Sequence, residues 1–177
     1  MQQELPSWPE RLYTVLKTLD IRQVAYVPDA GHAKLIDLCA ADTTMTTVSV
    51  TTEEEGIAML AGAWLGGQRG AMLMQSSGVG NCINMLSLQY ECRIPLFMLV
   101  TMRGQWAEFN PWQIAMGQGT RQSLETMGVI VSDVETPDDA VATAESAGRL
   151  AFQTGRATAV LLGQRLIGAK VFGDKKK

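Results

Sequence analysis

The chain has 177 residues, enough for one domain with a real apolar core. Apolar residues make up 46% and charged residues 19%, the balance of a globular soluble protein rather than a disordered or membrane-spanning one. A net charge of −3 with scattered basic residues leaves no nucleic-acid footprint, so the expected partners include no nucleic acid and no membrane.

From the N-terminus the pattern alternates helix and strand. Trp8 to Leu19 carries a helical stripe at Leu12, Val15, Leu16 and Leu19, with Ser7 as N-cap and Pro9 in the first turn. Val24 to Val27 reads as a buried strand ended by Pro28, Gly31 to Ala41 as a helix, and β-branched Thr46 to Val50 as a second strand. A helix follows from Glu53 to Leu65, then a strand at Ala71 to Met74, a glycine turn, and a helix from Asn81 to Tyr90. Pro95 to Val100 is the fourth strand, and Arg103 to Gly117 is expected to be an ordered loop over one end of the sheet. Ser123 to Met127 reads as a short helix, Val129 to Ser132 as a strand, Pro137 to Thr154 as a helix capped by Thr136, and Ala157 to Leu162 as the sixth strand. Unalternating strands separated by helices predict a doubly wound α/β fold: a mostly parallel six-stranded sheet with helices on both faces. One domain is expected over residues 1–170, with a charged tail at 171–177.

Three cysteines, Cys39, Cys82 and Cys92, lack metal-type spacing and are odd in number, which suits buried thiols in a reducing cytoplasm. No metal-ligating set is expected, and MQQELPSWPERL has no apolar leader core, so the chain is read as cytoplasmic. Ten methionines are read as core filling.

Candidate chemistry gathers around Glu53, Glu54 and Glu55. A capping box, Thr52 with Glu55 or Thr51 with Glu54, and the helix dipole account for part of this cluster. One cap cannot employ three carboxylates, however, and Glu53 shares a helical face with Ile57, Leu60 and Trp64. A carboxylate on an apolar face needs a partner, which makes Glu53 a candidate acid or hydrogen-bond acceptor. Ser76-Ser77-Gly78-Val79-Gly80-Asn81 follows a strand and suits close backbone approach to a ligand. It lacks the third glycine of a dinucleotide fingerprint and the Lys-Ser/Thr of a P-loop. Ser77 is outside any G-x-S-x-G elbow. His32, the sole histidine, is either a solvent-facing helix-start residue or a ligand contact, and Arg103 either a surface salt bridge or an anion-binding group.

Glu53 through Gly62, followed by Ser77-Gly78-Val79-Gly80-Asn81, resembles the pyrimidine-binding domain of thiamine-diphosphate-dependent decarboxylases. There a helix-start Glu precedes a Gly of its own helix by nine residues, and a strand then delivers an S-G-x-G turn. VPDAGH, EEEGIAMLAGAWLGG, LMQSSGVGN, RIPLFMLVTMRG and MGQGT are similar to the alpha subunits of sulfopyruvate decarboxylase and to phosphonopyruvate decarboxylase, over about Val24 to Gly128. Gly62-Ala63 departs from the glycine-aromatic pair of that family. The resemblance implies that Glu53 is the catalytic carboxylate, hydrogen-bonded to N1′ of the cofactor pyrimidine. Gln75, Gly78, Gly80 and Asn81 would line the cofactor, and His32 and Arg103 would face a small anionic 2-keto acid. The cofactors implied are thiamine diphosphate and magnesium, the latter bound mainly by a beta subunit, because the family's G-D-G…N motif is missing and Gly173-Asp174 is followed by Lys175. A homodimer of this chain within a hetero-oligomer is the expected assembly. A non-catalytic binding domain of the same fold and a flavodoxin-like mononucleotide binder are the rival readings.

Overall fold

The computed structural model describes residues 6–168; the tail expected at 171–177 lies outside them. Six strands form one sheet: β1 (Ile21–Tyr26), β2 (Thr46–Ser49), β3 (Arg69–Gln75), β4 (Leu96–Thr101), β5 (Ile130–Val134) and β6 (Ala157–Leu162). Their order is β2-β1-β3-β4-β6-β5, and every neighbouring pair is parallel. Parallel neighbours need crossovers, and helices supply them. These are α1 (Trp8–Thr18), α2 (Ala33–Ala41), α3 (Glu53–Leu65), α4 (Ser76–Cys82), α5 (Leu86–Cys92), α6 (Trp112–Thr126), α7 (Pro137–Thr154) and a short α8 (Gln164–Ile167).

The period of two along the strands divides the core into two layers. Leu73, Phe97, Leu99, Val160 and Leu162 pack with Leu12, Leu16, Leu35 and Ala144 under α1, α2 and α7. Met72, Met74, Met98, Val100 and Leu161 pack with Ile57, Leu60, Val79, Leu86 and Leu124 under α3 to α6. Because both faces are covered, β4 is buried at every position and reads in sequence as an unbroken apolar run. Four of the methionines, Met72, Met74, Met98 and Met102, are in the second layer.

Three expectations need correction. Residues 103–117 are not all loop: α6 starts at Trp112 and runs to Thr126, absorbing the short helix expected at Ser123–Met127. The expected helix from Asn81 to Tyr90 is two helices, α4 and α5, separated at 83–85. Ser76 to Asn81 is not a turn, since β3 passes directly into α4 at Ser76. The strand order reverses direction between β1 and β3, which opens the crevice where such sheets receive ligands, at the carboxyl ends of the strands.

Candidate active site

The three acids at the start of α3 have three different environments. Glu55 Oε2 accepts the Thr51 backbone N–H at 2.7 Å, while the N-cap Thr52 side chain makes no capping bond. The cap therefore reaches four residues back, and neither of the two expected boxes forms. Glu54 is exposed to solvent. Glu53 is 7% exposed and shares its helical face with buried Ile57 and Leu60.

Glu53 reaches across to α4. Asn81 Nδ2 donates to Glu53 Oε2 at 2.8 Å, and a Cβ at Gly78 would overlap the Glu53 carboxylate. Gly78 is thus needed for proximity, and Asn81 fixes the orientation of the acid. Glu53 Oε1 accepts no hydrogen bond from any described residue. A nearly buried carboxylate at the first turn of a helix, with one oxygen held and the other open, has the capacity to accept one further hydrogen bond. Gly80 plays a different part: it is exposed, and a Cβ there would stand 3.3 Å from Met116 Sδ on α6.

Beside this pair a second polar group spans the crevice between β1 and β3. Gln75 Nε2 donates to Asp29 Oδ1 at 3.0 Å, and Ser77 Oγ donates to Gln75 Oε1 at 2.9 Å. Thr101 Oγ1 donates to Asp29 Oδ2 at 2.6 Å, and the Gly31 N–H donates to the same oxygen at 3.2 Å. Burial pushes the Asp29 carboxyl up, but the Thr101 hydroxyl, nearby His32 and Gln75 outweigh it, and the net shift is downward. Asp29, Thr101 and Arg103 line a cleft of about 140 Å³ at this edge.

His32 lies beneath that edge and is fully buried, its Nε2 paired with the Leu99 carbonyl at 3.0 Å. Burial drives its pKa down against the opposing pull of Asp29, which favours the neutral ring. Neither the solvent-facing position nor direct substrate contact fits a side chain sealed in this way. Arg103 stands at the edge as expected, but its Nε and Nη2 grip Glu108 as a fork, at 2.7 Å for Nε. Glu108 also accepts from the backbone N–H groups of Gly104 and Asn110 and from Gln164 Nε2. The Arg103 guanidinium, with those donors, holds the Glu108 carboxyl down at about 2. Instead of a surface bridge, this is a mostly buried pair that orders the segment between β4 and α6.

Asp29, Thr101, Glu108 and Gln164 were not singled out by sequence reasoning. A polar Thr ending an apolar strand, and an Asp just past the β1 carboxyl end, were the signals available. Glu108 and Gln164 had none, because their partners are distant in sequence or lie in an irregular loop. Among the described residues no three His, Cys, Asp or Glu side chains form a metal-ion cluster.

The family described as "Thiamine pyrophosphate enzyme, N-terminal TPP binding domain" matches residues 8–124. The chain belongs to this family. The thiamine pyrophosphate enzyme domain matched includes Glu53, Gly78, Asn81 and the Asp29 group. The chain is 35% identical over 154 residues to the sulfopyruvate decarboxylase subunit alpha of Methanococcus maripaludis, covering 86% of this chain and 92% of that one. It is also 35% identical over 157 residues to the protein of the same name from Methanothermobacter thermautotrophicus. A phosphonopyruvate decarboxylase from Streptomyces viridochromogenes is 36% identical over 136 residues, but this chain spans only 34% of its length. Among solved structures, a 2-oxoglutarate:ferredoxin oxidoreductase from Magnetococcus marinus aligns with a TM-score of 0.72 over 92% of this chain and 29% of that one. At 14% identity, that likeness concerns the fold alone.

Proposed function

We propose that this chain is the pyrimidine-binding alpha subunit of a thiamine-diphosphate-dependent 2-keto acid decarboxylase that converts 3-sulfopyruvate to sulfoacetaldehyde and carbon dioxide. The observation that carries the reading is the open oxygen of a nearly buried Glu53, oriented by Asn81 and given room by Gly78. The similarity to sulfopyruvate decarboxylase alpha subunits along most of both chains supports the substrate class. When bound, thiamine diphosphate supplies an electron sink for the carbanion left by loss of carbon dioxide.

The chain's own contribution is to position and exchange a proton. Glu53 Oε1 would accept a hydrogen bond from an N–H of the bound cofactor's pyrimidine ring and could take up and return that proton. Asn81 keeps Oε2 occupied, so the proton has one address. Gln75, held by Asp29 and Ser77, presents a fixed wall beside it. Magnesium and the diphosphate fall to a beta subunit, two copies of this chain pair across their pyrimidine domains, and the complex works in the cytoplasm.

Phosphonopyruvate is the alternative substrate, supported by similarity to phosphonopyruvate decarboxylase. Reconstitution with the co-encoded partner subunit, thiamine diphosphate and magnesium, followed by assay of both keto acids, tests the reading. The expected result is a kcat/KM for 3-sulfopyruvate at least about ten-fold above that for phosphonopyruvate. The reverse order assigns the phosphonate, and no turnover of either overturns the decarboxylase reading in favour of a non-catalytic domain.

A further inference from the structure

At the opposite, amino-terminal edge of the sheet lies a larger cavity of about 410 Å³, enclosed by the end of α5, the approach to β5 and the α7–β6 turn. Its walls include Gln89, Glu91, Arg93, Thr154 and Arg156. Arg93 and Arg156 are both exposed and neither makes an ion pair or side-chain hydrogen bond with a described residue. The backbones that carry them run side by side: the Leu96 N–H donates to the Arg156 carbonyl, and a Cβ at Gly155 would stand 2.7 Å from the Arg93 carbonyl oxygen. Arg93 adopts a left-handed backbone (φ 51°) at the end of α5, a position where glycine is easier. Gln89 is 2% exposed, yet neither Oε1 nor Nε2 of its side-chain amide has a partner.

A buried amide with neither polar atom paired is costly, and two exposed guanidinium groups line the same cavity with no partner among the described residues. Each feature is explained by a bound ligand. We infer that this cavity binds a small polyol phosphate. Two guanidinium groups match a dianionic phosphate through forked hydrogen bonds. Gln89 Oε1 and the Glu91 carboxylate accept from hydroxyl groups, which a bare inorganic anion does not offer in that number. The volume falls within the range of small-molecule sites, about 300–1,000 Å³. The site is at the far edge of the sheet from Glu53 and does not depend on the decarboxylase reading.

Calorimetric titration of the full chain, in complex with its partner subunit where it requires one, tests this with glycerol 3-phosphate and ribose 5-phosphate, and with inorganic phosphate for comparison. The expected result is saturable binding of at least one ester, tighter than inorganic phosphate, and weakened about ten-fold or more in the Arg93→Gln/Arg156→Gln double variant. Both arginines are exposed, so the variant should keep the wild-type Tm. Gln89→Leu serves as a second variant, expected to raise the Tm without ligand while weakening ester binding. Absence of ester binding, ester binding no tighter than phosphate, or binding unchanged in the double variant would overturn the proposal.

Discussion

Glu53, Asn81 and Gly78 form one mechanical unit, and each makes its own prediction. Gly78→Ala places a Cβ inside the space of the Glu53 carboxylate, so α3 and α4 must part or Glu53 must turn away. A stability loss of about 1–3 kcal/mol is expected in denaturant unfolding, with a loss of cofactor affinity in the reconstituted complex. Asn81→Asp replaces the donor on Oε2 with a second acid. Loss of that donor should lower the kcat of the reconstituted complex by about ten-fold or more at a Tm close to wild type, whereas a merely structural Asn81 would lower the Tm and leave kcat in place. Glu108 governs the acid pH range. Its folded-state pKa of about 2 lies below its ordinary 4.5, so its contribution to stability is complete above about pH 4.5 and disappears as pH falls toward 2. Glu108→Gln should flatten that part of the stability–pH curve in acid unfolding monitored by circular dichroism. The buried placement of Glu53 was legible in the sequence, because Ile57 and Leu60 share its helical face. The sealed His32 and the committed Arg103 were not, since Leu99 and Glu108 meet them only in three dimensions.

Helix α6 shows where local sequence reasoning stops. The MGQG stretch argues against a helix by propensity, yet Trp112–Thr126 is helical because its inner face is buried at Gly117, Thr120 and Leu124, the last within the site-side layer. The two glycines of that stretch differ. A Cβ at Gly117 would collide with the Arg103 carbonyl, so this glycine lets the helix meet the Arg103–Gly104 backbone, whereas a Cβ at Gly119 would meet nothing within 4 Å. Gly119→Ala should therefore stabilise by about 0.5–1 kcal/mol, while Gly117→Ala should destabilise by about 1–3 kcal/mol. Chemical denaturation of the pair checks the contrast, and equal effects would refute the packing argument. The β3–α4 junction was misread for a related reason: Ser76 to Asn81 has turn composition, but the glycines serve close approach to Glu53 and to α6.

At the scale of the whole molecule, period and composition were enough to identify six strands, their parallel character and helices on both faces. Strand order was not legible, because nothing local states that β6 lies between β4 and β5. The order places the ends of β1, β3 and β4 together, and with them Asp29, Gln75 and Thr101. Under the proposed function the fold supplies half of an active site, and the isolated chain should show no decarboxylase turnover with thiamine diphosphate and magnesium. The most direct measurement is the kcat of the reconstituted complex carrying Glu53→Gln, with its Tm recorded alongside. The account predicts a fall of about a hundred-fold or more at an unchanged Tm; a variant that keeps turnover within about three-fold of wild type would contradict it.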